Sequence, residues 1–166
     1  EANLSCPNEG TTALLCFDVD RVEMIAKRIK EAIGDVPLWL KVSYFTDDTV
    51  LEQLVDRVGT TVQGFATINT ISAEVRTPDG AQALPGEGRL RSGVCGYTIK
   101  WAGIDMVKRL HALRAAKQLS YHIIGVGGVT APSDYQEYRT AGADIVMSAT
   151  GAMWNPYLAD EIKQSL

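Results

Sequence analysis

Short runs of apolar residues alternate along this chain with stretches in which apolar residues recur every three or four positions. That is the pattern of strands feeding amphipathic helices around a parallel sheet. The strand signal recurs five times. Ala2 to Ser5 reads as the end of a strand, and Asp18 or Asp20 caps a helix with Val22, Ile25, Ala26, Ile29 and Ile33 on one face before Gly34 stops it. Leu38 to Val42 is the second strand. Asp47 and Asp48 open the next helix, with Leu51, Leu54, Val55 and Val58 as its buried stripe and Gly59 as its stop. Val62 to Ile68 is the third strand. From Asn69 to about Gly96 no periodicity is sustained, and a connection beyond ~12–15 residues predicts a functional loop or lid. A helix with Met106, Val107, Leu110 and Leu113 inward follows, then a fourth strand from Tyr121 to Gly125. Pro132 to Gly142 is predicted helical and Ala143 to Met147 is the fifth strand; Asn155 and Pro156 open a last helix with Leu158, Ile162 and Leu166 spaced by four.

Composition narrows the classes of function. Of 166 residues, 46% are hydrophobic and 22% charged, the balance of a globular protein rather than a tail or linker. Sixteen Lys and Arg against twenty Asp and Glu give a formal charge of -4, the wrong sign for a protein whose main partner is nucleic acid. No run approaches the ~18 apolar residues of a membrane span, and the start lacks the basic-then-apolar design of a signal peptide. A cytoplasmic protein with no membrane association is expected. The three cysteines, Cys6, Cys16 and Cys95, form no C-x-x-C pair, and with only His111 and His122 they offer no zinc spacing. Neither a metal site nor a disulfide scaffold is predicted. Cys16, within Leu14-Leu15-Cys16-Phe17, reads as core; His111 reads as solvated, and His122 is given no role. The chain opens on Glu1, as if inside a structural element, and is expected to be part of a larger domain.

Polar and glycine residues cluster just after the predicted strands: Asn3 to Asn8, Lys41, Asn69 with Thr70, Gly127 with Gly128, and Ser148 to Gly151. In open parallel sheets and in eight-stranded barrels, that carboxyl-terminal edge binds ligands. Gly125-Val126-Gly127-Gly128 lets backbone N–H groups approach an anion, although these four residues alone equally suit a ligand-free turn. Ala149-Thr150-Gly151, after the very next strand, is its companion. Barrels often build a phosphate site from the loops after strands seven and eight, which would make the five strands here the fourth to eighth of a (β/α)8 TIM barrel. In Asn3-Leu4-Ser5-Cys6-Pro7-Asn8, Pro7 fixes the backbone and two amides offer donors and acceptors suited to a planar ligand, while Cys6 by composition alone is more simply a small hydrophobe. Lys41 ends an apolar strand and should meet an anion or an electron-rich ligand atom.

Glu1-Ala2-Asn3-Leu4-Ser5-Cys6-Pro7-Asn8 resembles the E-x-N-x-S-C-P-N segment of dihydroorotate dehydrogenases of the soluble, cysteine-using class. The likeness continues through Trp39-Leu40-Lys41-Val42-Ser43, Ile68-Asn69-Thr70, Gly93-Val94-Cys95-Gly96, Ile124 to Val129 and Ala141-Gly142-Ala143-Asp144. The resemblance implies that residues 1–166 are the C-terminal part of one FMN-binding barrel domain, of an enzyme oxidising dihydroorotate to orotate in pyrimidine biosynthesis. By matched position, Cys6 would be the catalytic base. Asn3, Asn8, Asn69 and Thr70 would hold the pyrimidine, and Asn3, Lys41, Gly96, Gly127, Gly128, Ala149 and Thr150 would bind FMN. The resemblance further implies a possible iron–sulfur flavoprotein electron-transfer subunit, a homodimer of the full-length protein, and weak FMN binding by this portion alone. Ala149-Thr150 stands where many relatives carry Gly-Thr, and Cys95 where they carry Gly or Ser. Asn69-Thr70 is shared by the NAD-linked branch and by dihydropyrimidine dehydrogenases. Asn8, where the latter commonly have His, favours orotate chemistry over uracil or thymine reduction. An inactive flavin- or phosphate-binding barrel is the remaining alternative.

Overall fold

The first two predicted helices form where their caps place them. The structure, a computed structural model, describes residues 1–6 and 14–166. Asp18 accepts a hydrogen bond from the Arg21 N–H at 3.2 Å and starts α1 (Val19–Ile33), which ends at Gly34 with φ +59°. Asp47 accepts from the Thr49 N–H at 2.8 Å and starts α2 (Asp48–Val58), whose Leu51, Leu54, Val55 and Val58 are all buried. Burial of each such side chain contributes about 1.5–3 kcal/mol relative to exposure.

Strands β1 (Ala2–Asn3), β2 (Trp39–Val42), β3 (Gly64–Thr67), β6 (His122–Val126) and β7 (Ile145–Met147) form one parallel sheet in the order β1-β2-β3-β6-β7. β6 follows α3 (Lys100–Ala116), and β7 follows α4 (Pro132–Ala141), which ends at Gly142 in the left-handed conformation. The register pairs Asn3 with Lys41, Lys41 with Ala66, Ala66 with Ile124, and Ile124 with Ile145. Because strand side chains alternate, this row shares one face of the sheet. The other face carries Leu40, Val42, Phe65 and Ile123, all fully buried. There Phe65 meets Tyr121 edge-on at 4.9 Å, and the Tyr121 hydroxyl donates to Leu110 O of α3 at 2.7 Å. Cys16 is fully buried in this core, as expected, and burial pushes its thiol up to about 11. On the first face Ile145 and Met147 are each 43% exposed.

Three expectations are corrected. The stretch after Asn69 is not structureless: β4 (Ile71–Glu74) and β5 (Arg91–Val94) form an antiparallel hairpin, extended by an Arg76–Gln82 bridge. Its strands are short and only half-buried, so backbone pairing rather than an apolar stripe holds it, and hydrophobic periodicity could not reveal it. Thr150 and Gly151, read as part of the loop after the fifth strand, begin a short helix, α5 (Thr150–Trp154). In α6 (Leu158–Gln164), Leu158 is buried and Ile162 packs on the core, but Leu166 lies beyond the helix at 74% exposure.

Candidate active site

β6 delivers the chain into a turn that only glycine fits. Gly127 and Gly128 have φ of +127° and +69°, and a Cβ on Gly128 would stand 2.7 Å from Lys100 Cβ and 3.1 Å from Gly96 O. Side chains tie this turn from several directions. The Tyr138 hydroxyl donates to Gly127 O at 2.7 Å, and Ser148 Oγ donates to Val129 O at 2.7 Å. Asp134, at the third position of α4, accepts from the Thr130 and Ala131 N–H groups at 2.8 and 3.0 Å, one half of a capping box. Its other oxygen accepts from Lys100 Nζ at 2.7 Å, and Lys100 also reaches Glu137 at 2.9 Å. Burial alone would raise the Asp134 carboxyl, but its bonds to Lys100 and Thr130 outweigh that and hold it below the usual range. Lys100 likewise feels burial, which its two carboxylates outweigh, so its ammonium is held above its usual range. The turn, the residues after β5 and the start of α3 thereby form one packed unit.

In front of the turn lies a cavity of about 140 Å³ lined by Lys41, Asn69, Thr70, Gly96, Gly127, Gly128, Ala149 and Thr150, among others. It is small beside the ~300–1,000 Å³ of a typical ligand pocket, a size for one end of a ligand. At the neighbouring strand ends, Asn69 Nδ2 donates to Asn3 Oδ1 at 3.3 Å and to Ser5 O at 3.0 Å. Asn3 Oδ1 also accepts from Ser5 N and Ser5 Oγ, each at 3.2 Å. Among the described residues this leaves Asn3 Nδ2 as a donor and Asn69 Oδ1 as an acceptor for a ligand. Cys6, the residue after the buried Ser5, is a half-buried free thiol.

A family described as Dihydroorotate dehydrogenase matches residues 1–166. The chain belongs to the dihydroorotate dehydrogenase family. It is 34% identical over 165 residues to a dihydroorotate dehydrogenase of Dictyostelium discoideum, covering 96% of this chain and 44% of that protein. It is 29% identical over 171 residues to the catalytic subunit of dihydroorotate dehydrogenase B (NAD(+)) of Oceanobacillus iheyensis, covering 100% of this chain and 52% of that one. Among solved structures it resembles the dihydroorotate dehydrogenase of Eimeria tenella in complex with ferulenol, with TM-score 0.76, 19% identity, and coverage of 98% of this chain and 47% of that one. The ligand-free form of that enzyme gives TM-score 0.75 at 20% identity. The chain thus spans about half the length of the curated relatives it matches. Its five parallel strands are part of a TIM barrel of the dihydroorotate dehydrogenase type.

Eight of the predicted binding residues, from Lys41 to Thr150, line this cavity. Asn3 joins them through its bond to Asn69. Asn8 lies outside the described residues. Lys41 Nζ lies 3.6 Å from the Glu1 carboxylate. Thr70 sits where the hairpin returns, its Oγ1 2.5 Å from where a Gly93 Cβ would lie, and Cys95 Sγ is 3.7 Å from Thr150 Oγ1. The three cysteines are free, and no metal-binding cluster occurs among the described residues. No helix among them is long and apolar enough to cross a membrane. Sequence reasoning missed Lys100, Asp134 and Tyr138, and gave Ser5 and Ser148 no task of their own within the clusters it named. Asp134 carried a local signal, an acid two residues after the Pro132 that opens a helix, and Ser5 bonds to Asn3 two residues before it; Lys100, Tyr138 and Ser148 act on partners distant in sequence.

Proposed function

We propose that the protein carrying this chain is an FMN-dependent enzyme that oxidises dihydroorotate to orotate in pyrimidine biosynthesis. The observation that carries this reading is the convergence, in a chain of this family, of the glycine turn, Lys41 and the Asn3–Asn69 pair at one sheet edge. The turn suits a phosphate: its glycines admit close backbone approach and its Gly127 and Val129 carbonyls are tied back by hydroxyls. Gly96, Gly127, Gly128, Ala149 and Thr150 would hold the phosphate end of FMN, with Lys41 and Asn3 toward its ring. Bound there, the flavin supplies the acceptor for the hydride leaving C6 of dihydroorotate. Asn3 and Asn69 present a donor and an acceptor to the planar pyrimidine, with Thr70 and Asn8 completing its contacts. Cys6 is the base whose Sγ takes the proton from C5 and holds it, so that loss of one proton and one hydride leaves the C5–C6 double bond.

The name of the Oceanobacillus relative, a catalytic subunit of an NAD(+) enzyme, supports a partner subunit. We assign that partner as an iron–sulfur flavoprotein that passes electrons onward, with the full-length protein a cytoplasmic homodimer. The test is anaerobic mixing of the purified full-length protein with dihydroorotate and, separately, with dihydrouracil. Yellow protein whose flavin is bleached by dihydroorotate alone is the expected result. Protein that stays colourless after added FMN, or that responds only to dihydrouracil, overturns the reading.

A further inference from the structure

We propose that Tyr138 is a positioning residue for the phosphate end of the site: its hydroxyl sets the Gly127–Gly128 peptide so that the Gly128 N–H faces the bound anion. This rests on the reading of the glycine turn as the phosphate site of FMN.

Tyr138 lies on α4 with its ring driven under β6, and it is fully buried. The space it occupies exists only because glycines surround it. A Cβ on Gly125 would stand 2.3 Å from its Cδ1, and one on Gly103 would stand 2.0 Å from its hydroxyl oxygen. At the end of this slot the hydroxyl donates to Gly127 O at 2.7 Å.

In a trans peptide the C=O and the following N–H point to opposite sides. Holding Gly127 O against the phenol therefore turns the Gly128 N–H away from the core, toward the cavity that Gly128 lines. Among the described residues that N–H donates to no protein acceptor. Gly128 is buried, and a buried N–H needs a partner, which an anion in the cavity would provide. A peptide between two glycines is the easiest in a chain to turn over, because neither residue has a Cβ to resist positive φ. Turned over, it would aim a carbonyl oxygen at the anion. The Tyr138 hydroxyl selects the binding orientation from behind, without touching the ligand.

Riboflavin, which lacks the phosphate, separates this role from general support of the fold. The full-length protein, stripped of flavin, is titrated with FMN and with riboflavin by quenching of flavin fluorescence, as wild type and as Tyr138→Phe. Loss of one hydrogen bond predicts a Kd for FMN weaker by roughly three- to tenfold and an unchanged Kd for riboflavin. If wild type binds FMN no better than riboflavin, the phosphate reading of the turn fails and this inference with it. If wild type prefers FMN and Tyr138→Phe keeps that preference in full, or weakens both ligands alike, the inference is overturned while the site reading stands. Should the phenylalanine variant not fold, the wild-type protein labelled with 15N-glycine is read by NMR instead: a Gly128 N–H resonance that moves downfield with FMN and not with riboflavin supports the role, and one that FMN leaves in place overturns it.

Discussion

At the glycine-turn end of the site, the Gly127 and Val129 carbonyls and the Thr130 and Ala131 N–H groups are all held by side chains of other elements, two of them, Asp134 and Tyr138, buried. At the cysteine end, Asn3, Ser5 and Asn69 are held chiefly by one another. The first arrangement spends its polar groups on the protein and leaves backbone N–H groups for a ligand. The second leaves side-chain amide groups for the ligand beside a free thiol. On the proposed reading the first end holds a fixed charge, and such an end gains from being rigid before the ligand arrives. The second would transfer a proton, which needs the reacting group accessible, and Cys6 is half-buried rather than sealed.

This contrast breaks if stability and reactivity do not divide between the two ends. The largest effect is expected from Asp134→Ala, which releases the Thr130 and Ala131 N–H groups and removes the less exposed of the two carboxylates that Lys100 meets. Breaking a largely buried pair from one side predicts a loss of about 3 kcal/mol, read by urea denaturation, with FMN affinity falling in parallel. Next, Cys6→Ala is expected to slow flavin reduction by dihydroorotate by roughly 10²-fold or more, with FMN affinity and melting temperature unchanged. Unchanged single-turnover reduction would remove Cys6 from the mechanism.

The smallest effect is a pH dependence. Asp134 and Asp144 are both held below the usual 3.8: burial, the largest influence on each, acts upward but is outweighed by hydrogen bonds, from Lys100 and Thr130 for the one and from Arg114 and the Ile123 N–H for the other. In the unfolded chain both return to about 3.9. Between the folded and unfolded values the unfolded chain binds more protons, so stability is full above about pH 5 and falls as pH drops through about 4 and below. Melting scans from neutral to acid pH should therefore be flat before they decline, and Asp144→Asn should shallow the decline.

Much of the fold was legible because its signals are local. Asp18, Asp47, Pro132, Gly34 and Gly142 act on N–H and C=O groups within a few residues, or through their own φ, so caps and stops stand where the chain's order puts them. The hairpin was not legible, since Ile71 pairs with Val94 across a linker full of Gly and Pro and neither strand carries a continuous apolar face. The glycine turn could be located, but its tethers could not. Tyr138 looks in the sequence like one more apolar position on α4. Its importance comes from the absence of side chains at Gly103 and Gly125, which lie on other elements.

The alternation of strand and helix, the ends of the helices that begin after Asp18, after Asp47 and at Pro132, and the edge at which polar and glycine residues gather are all written in the order of the residues. Each of these depends on periodicity, capping or chain order, which are properties of neighbours. That Asn69 leans on Asn3, that Lys41 meets Glu1, and that a phenol and two carboxylate oxygens stand behind the glycine turn emerges only in three dimensions. Those contacts join residues brought together by strand register and helix packing, and the direction of a hydrogen bond exists only once both partners have a place in space.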